Sequence, residues 1–189
     1  MKKHNGMRPQ DVVVILKLIA QRPSSKEEKN AKIDLKAIMN NQNKTIAKNL
    51  QMSEAEISES LRRSEYAGLI ADKVKKKVNQ IAFLEFLIYG IKYVFPTHPG
   101  ALVRGIPTAH SALPLKDRII SDEVFVWQHP EGIVRGQAIE PLYHTVPKIA
   151  EEDPKLYELL ALVDSVRTGT ARINSIATKE LENRILNAW

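Results

Sequence analysis

Residues 44–78 read KTIAKNLQMSEAEISESLRRSEYAGLIADKVKKKV, and the punctuation of this stretch decides how it folds. Thr45 to Leu50 places Ile46, Ala47 and Leu50 on one side of a short helix. Gln51-Met52 makes the turn. Ser53-Glu54-Ala55-Glu56 is a capping box: the Ser53 hydroxyl can accept from the Glu56 N–H while the Glu56 carboxylate reaches back. The helix opened there runs to about Ala67, with Ile57 and Leu61 as its buried stripe. Gly68 is a natural left-handed terminator. Leu69-Ile70 begins a strand, and the basic run from Ala71 to Val78 (ADKVKKKV) has the makings of a hairpin.

The chain on either side extends the pattern. Upstream, Val12, Ile15, Leu16 and Ile19 fall at helical spacing, and Pro9 sits near the helix start, where its missing N–H costs nothing. Gln21 to Asn30 (QRPSSKEEKN) reads as a loop. A helix follows from Ile33 to about Asn40, and the run Asn40-Asn41-Gln42-Asn43 is expected to break it. Downstream, Asn79 can cap a helix from Gln80 to Tyr89, ended by Gly90. From Ile91 to Pro147 the character changes, with seven of the ten prolines in this region. Strand signals recur at 92–95, 101–103, 124–127 and 133–134 between turn signals. Asp153 can cap a helix to about Arg167, and Thr170 a last one to about Leu186.

The middle region holds a weak internal repeat. Val94-Phe95-Pro96-Thr97-His98-Pro99-Gly100 leads to Val103-Arg104-Gly105, and Val126-Trp127-Gln128-His129-Pro130-Glu131-Gly132 leads to Val134-Arg135-Gly136. Two copies are too few for a solenoid, and two β-hairpins side by side would explain them. The expected class is α+β: an N-terminal domain over residues 1–90, then a β-hairpin-rich region and two C-terminal helices over residues 91–189.

Composition narrows the function. The chain contains no cysteine, which removes disulfides, thiolate metal sites and cysteine nucleophiles. No run approaches the roughly 18 apolar residues of a membrane span. The apolar run after the basic N-terminus carries Lys17 and lacks a cleavage site, so it does not read as a signal peptide. A cytoplasmic protein is expected. Charge is uneven: residues 1–80 carry 17 Lys/Arg against 9 Asp/Glu, and residues 81–189 carry 11 against 13. A basic first half suggests that this end meets a polyanion.

The 44–78 stretch resembles the DNA-reading part of winged helix-turn-helix transcriptional regulators such as the MarR and ArsR groups. The resemblance is carried by the capping box at Ser53 and by the exit Leu61-Arg62-Arg63-Ser64-Glu65-Tyr66-Ala67-Gly68-Leu69-Ile70. It covers about 35 residues strictly and residues 9–89 loosely. The whole chain is also similar to a family of uncharacterised prokaryotic winged-helix proteins, including the stretch Arg104-Gly105-Ile106-Pro107-Thr108-Ala109-His110-Ser111; that family has no settled ligand to carry over. The resemblance implies a regulator rather than an enzyme, with residues 53–67 as the recognition helix in the major groove of double-stranded DNA. By position in the motif, Thr45, Ser53, Ser58, Arg62 and Arg63 would face DNA, and Lys73, Lys75, Lys76 and Lys77 would meet phosphates from the wing. Glu54, Glu56 and Glu59 argue the other way: they suit the helix dipole but repel phosphates. The alternative is a module for protein contacts, such as the antitoxin-like partner of a neighbouring gene product.

Weaker constellations lie in the second half. His98, His110, His129 and His144 lack the short spacing of a helical ligand pair, so no metal and no cofactor is expected. Arg104, His110, Arg135 and Tyr143 form a candidate site for a small anionic effector or a partner protein. Arg104 and Arg135 match across the repeat, and the glycine after each permits close backbone approach. The plain alternative is that each arginine is solvated or pairs with Glu131 or Glu140. Such regulators pair on two-fold operators, so a homodimer is expected. Either the C-terminal helices or the apolar Val12–Ile19 helix could supply its interface.

Overall fold

A computed structural model describes residues 5–22 and 35–187 as a mixed α+β protein. The expected loop after Arg22 and the expected helix start at Ile33 lie outside the described residues. In chain order the elements are α1 (Pro9–Ala20), α2 (Leu35–Leu50), α3 (Glu54–Tyr66), β1 (Ile70–Asp72), β2 (Lys77–Val78), α4 (Gln80–Glu85), α5 (Ile91–Val94), β3 (Leu102–Pro107), β4 (Phe125–Gln128), β5 (Val134–Ala138), α6 (Val146–Ala150), α7 (Pro154–Thr168) and α8 (Ala171–Leu186). Among the described residues, no helix is long and apolar enough to cross a membrane.

α1 is central. Val12, Val13, Val14, Ile15, Leu16 and Ile19 are all fully buried, so the helix is enclosed on every side. It packs against α3 and α7. Its apolar surface is used up inside this chain, so it cannot supply a dimer interface as the sequence suggested. Lys17, near its end, is buried and meets Asp153 at 2.7 Å. One continuous apolar cluster joins α1, α2, α3 and α4 to Trp127, α6, α7 and α8. The core therefore has no break near residue 90.

Two expected breaks in helices do not occur. α2 runs through residues 40–43 to Leu50, so TIAKNL is its last turns and not a separate helix. Asparagine disfavours helix interiors by only a fraction of a kcal/mol, and burial of Ile46, Ala47 and Leu50 outweighs that. Likewise Gly90 does not end the helix begun at Gln80. A π-helical turn over Phe86–Gly90 carries the chain into α5. Residues 92–95, expected as a strand, are thus the end of this helix. Leu87 and Ile91, four residues apart and fully buried, hold it down, and Phe95 meets Phe86 edge-on at 6.4 Å.

The repeat forms one structure rather than two hairpins. β3 pairs antiparallel with both β4 and β5, and β4 and β5 pair parallel, closing a three-stranded ring. The two copies pair with each other: Val103 opposes Gly136, Arg104 opposes Arg135 and Gly105 opposes Val134. Alternation along a strand turns Arg outward and Gly inward. Inside, a Cβ on Gly105 would sit 2.0 Å from the Trp127 carbonyl oxygen. The Val-Arg-Gly repeat is the signature of a ring too tight for any inward side chain at that place.

The ring is fastened to α7 through Asp164, which is 2% exposed. Its Oδ2 accepts from Trp127 Nε1 at 2.7 Å and from the Thr108 hydroxyl at 2.9 Å. Its Oδ1 accepts from Arg167 at 2.6 Å. Burial pushes the Asp164 carboxyl up; the Arg167 charge and the neutral donors pull against it. Beside it, Tyr157 donates to the Pro107 carbonyl at 2.6 Å, and burial pushes its phenol up to about 12. Asp164→Ala leaves Arg167 without its buried counter-charge and orphans the Trp127 donor. It is expected to cost about 3–5 kcal/mol of unfolding free energy in a denaturant titration. Gly105→Ala, which alters no polar group, should cost 1–3 kcal/mol or more by overpacking alone, on the order set by small-to-large core changes.

Candidate nucleic-acid interface

α2 and α3 meet at a tight turn. Gln51 takes a left-handed φ of 53°, and the Met52 N–H bonds back to the Ala47 carbonyl at 2.9 Å. This is the way a helix closes its last carbonyls, with Gln where glycine is common. Ser53 then opens α3 as its motif requires. The Glu56 N–H donates to Ser53 Oγ at 3.1 Å, and the Ser53 N–H donates to Glu56 Oε2 at 3.0 Å. The Ser53 N–H and hydroxyl hold the Glu56 carboxyl below its ordinary range. At the far end Gly68 takes φ 75°, with open space around it.

The inner side of α3 carries Ile57, Ser60, Leu61, Arg63 and Ser64, all buried. Its outer side leaves Glu54, Ala55, Ser58 and Tyr66 exposed. Arg63 was expected on DNA, and the structure places it in the core. Its guanidinium makes a two-pronged contact with Asp11 of α1, at 2.8 and 2.6 Å, and side-chain exposure is 6% and 0% for the two residues. The reason is helical spacing: Arg63 stands three residues after Ser60, on the buried stripe. The charge of Asp11, enclosed in the apolar α1, requires a partner there. Arg62 is half-buried, with Nε on Glu59 at 3.1 Å and one terminal nitrogen donating to Asn5 Oδ1 at 2.7 Å. It lies at the border of the outer face rather than on it.

β1 and β2 pair with Ile70 opposite Val78 and Asp72 opposite Lys77. Asp72 Oδ1 accepts from the N–H groups of Val74 and Lys75, at 2.9 and 3.0 Å, which shapes the turn. Lys76 takes φ 51°, a conformation that favours glycine, and partial burial lowers its pKa. Lys73 and Lys75 are exposed at the tip and Lys77 on β2. Lys73 Nζ lies 2.6 Å from Glu65 on α3, so the hairpin stands beside the C-terminal half of that helix. Thr45 is exposed on α2, as are Lys44 and Lys48, two cations that the sequence reading did not single out. Their signal was present: the same short stretch is basic on its solvent side.

The second half of the chain supports this unit from behind. The Thr145 hydroxyl donates to the Leu50 carbonyl at 2.9 Å, and the Tyr143 hydroxyl donates to Glu56 Oε1 at 3.3 Å. Burial, then the Glu56 charge, raises the Tyr143 pKa. Tyr143 therefore belongs to the first turn of α3. The other three residues of the expected effector site separate into two places. Arg104 and Arg135 oppose each other on the outside of the ring, both exposed. His110 is buried, with Nε2 2.9 Å from the Glu123 carbonyl oxygen and its ring against Phe125. Among the described residues no group of three or more histidines and carboxylates is placed to hold a metal.

Arg63→Ala is expected to lose about 3–5 kcal/mol of stability, because Asp11 stays buried without its counter-charge. Replacing both Asp11 and Arg63 with Met should recover most of that loss, as read from unfolding midpoints. Ser53→Ala should cost about 1 kcal/mol at neutral pH. Glu56 has a depressed folded-state pKa, so its share of the cap is present above the ordinary glutamate pKa of about 4.3 and fades as pH falls through the depressed value. The gap between Ser53→Ala and the native protein should therefore narrow in acid. Comparison with family models, with curated proteins and with solved structures finds no match to this chain.

Proposed function

We propose that residues 44–78 act as a winged helix-turn-helix on double-stranded DNA, and that the protein is a sequence-specific transcriptional regulator. One observation carries this reading: a hairpin with lysines at its tip stands against an outer face of α3 that the described chain leaves uncovered. A helix of this length fits the major groove, and a flanking basic loop then reaches phosphates. The contact set differs from the sequence reading. Ser53, Ala55 and Ser58 are the side chains nearest base edges. Lys44, Lys48, Lys75 and Lys77 are the phosphate cations, with Thr45 beside them. Lys73 is shared with Glu65, and Arg63 drops out. Ala55 suits a thymine methyl, and Glu54 suits a cytosine amino group. A two-fold operator would call for a homodimer.

Titration of duplexes from the gene's own upstream region, by fluorescence anisotropy at graded salt, tests this. Four phosphate contacts correspond to a slope of about −3.6 in log K against log salt. Lys75→Ala or Lys77→Ala should each flatten the slope by about 1. No binding at low salt, or binding indifferent to salt, ends the reading.

A second reading has its own observation. The outer side of α3 carries Glu54 and, at its border, Glu59 and Glu65, a composition that suits a basic protein surface. If α3 serves protein contact in an antitoxin-like pair, Glu54→Gln weakens co-purification with the neighbouring gene's product and leaves DNA binding absent. If α3 lies on DNA, the same change tightens non-specific duplex binding by removing repulsion.

A further inference from the structure

We infer that the outer face of the β3–β5 pair is a docking site for an acidic, partly apolar segment of a partner protein. Arg104 and Arg135 stand directly opposite each other in the register, with both side chains on the outside. Residues so paired have Cβ atoms about 5 Å apart, and like charges there destabilise a sheet. Neither guanidinium makes a hydrogen bond or ion pair with any described residue. Glu131 and Glu140, the partners the sequence offered, do not pair with them, and no ion pair reaches Arg135 from Asp122 or Glu123 across the depression they share. The chain keeps two opposed cations together and pairs neither: Asp122 and Glu123 line the depression beside Arg135 without an ion-pair contact.

The surroundings define what would. Leu102 shares the face of Arg104 and is 62% exposed; Ile133, two residues before Arg135, is 94% exposed. Two cations between two bare aliphatic side chains match carboxylates alternating with apolar residues. Nucleic acid fits worse, because Leu102 and Ile133 offer nothing to a phosphate backbone, whereas spaced carboxylates can meet the two arginines and keep clear of Asp122 and Glu123. The platform is rigid: the inward glycines leave the ring no room to repack, so the arginines are presented at a set spacing. The ring is closed, so recognition falls to side chains and not to an added strand.

The test uses the full chain and a fluorescein-labelled peptide of alternating Glu and Leu, followed by anisotropy. A peptide with Gln for Glu, an oligothymidylate of equal charge and inorganic phosphate as competitor complete the set. The Glu-Leu peptide should bind, and Arg104→Glu with Arg135→Glu should weaken it at least tenfold. The milder Arg135→Gln should weaken it less and leave the melting temperature unchanged or slightly raised, since repulsion is relieved. The idea is overturned if the peptide does not bind, if charge reversal leaves its affinity intact, or if the Gln-Leu peptide, the oligonucleotide or phosphate binds as well. Duplex DNA titrations on the same variants should not change, so this result and the DNA reading stand or fall separately.

Discussion

A helix apolar on every side exists only inside a protein, and α1 takes two charges in with it. Asp11 and Lys17 both lie within its buried span. Each charge must be met by an opposite one, because an unpaired ion in the interior costs several kcal/mol. Asp11 is met by Arg63 of α3, and Lys17 by Asp153 at the start of α7. Those two pairs select the neighbours of α1 and the rotation each adopts. Hydrophobic contact alone is non-directional; the ion pairs add direction. Asp11 also accepts from the Arg8 N–H at 2.8 Å, so one carboxylate starts α1 and orients α3.

Orientation of α3 is the link from packing to function. Turning Arg63 inward leaves Glu54, Ala55, Ser58 and Tyr66 outward. The Glu65–Lys73 pair then sets the hairpin beside that face, and Tyr143 and Thr145 brace the turn from the second half of the chain. A helix pair braced this way does not move freely from the rest of the chain. Through Tyr143 and Glu56 the second half of the chain is in direct contact with the first turn of α3.

Asp164 plays the matching role on the other side of the core. It gathers donors from the β ring, from the turn at Thr108 and from its own helix. The ring sends Ile106 and Trp127 into the main core, while Ala109, Phe125 and Ile139 form a small cluster apart from it. The polar anchor adds a directional tie to α7. It leaves the outer face of the ring free of structural duty, and there the two arginines stand.

Features set by neighbours three or four residues apart were legible in the sequence. The caps at Ser53, Asn79 and Asp153 form as read, and so does the left-handed Gly68, because each depends on local atoms and one backbone conformation. The hairpin at 70–78 and the helices at 9–20, 154–168 and 171–186 follow from the same short-range logic, although Thr170, expected to cap the last of them, makes no side-chain cap. What tertiary structure decided was which weak local preference to override and which way a charge points. Asn40–Asn43 and Gly90 are poor helix residues, yet burial of Ile46, Ala47 and Leu50 after the first, and of Leu87 and Ile91 around the second, carries the helix across them. Arg62 and Arg63 are alike in type, and the place of Arg63 on the buried stripe, facing Asp11, separates a core residue from a border residue. The two Val-Arg-Gly copies announced a relation, but the partner of each copy is the other copy. That pairing is a long-range contact with no trace in local periodicity, and it brings the arginines together.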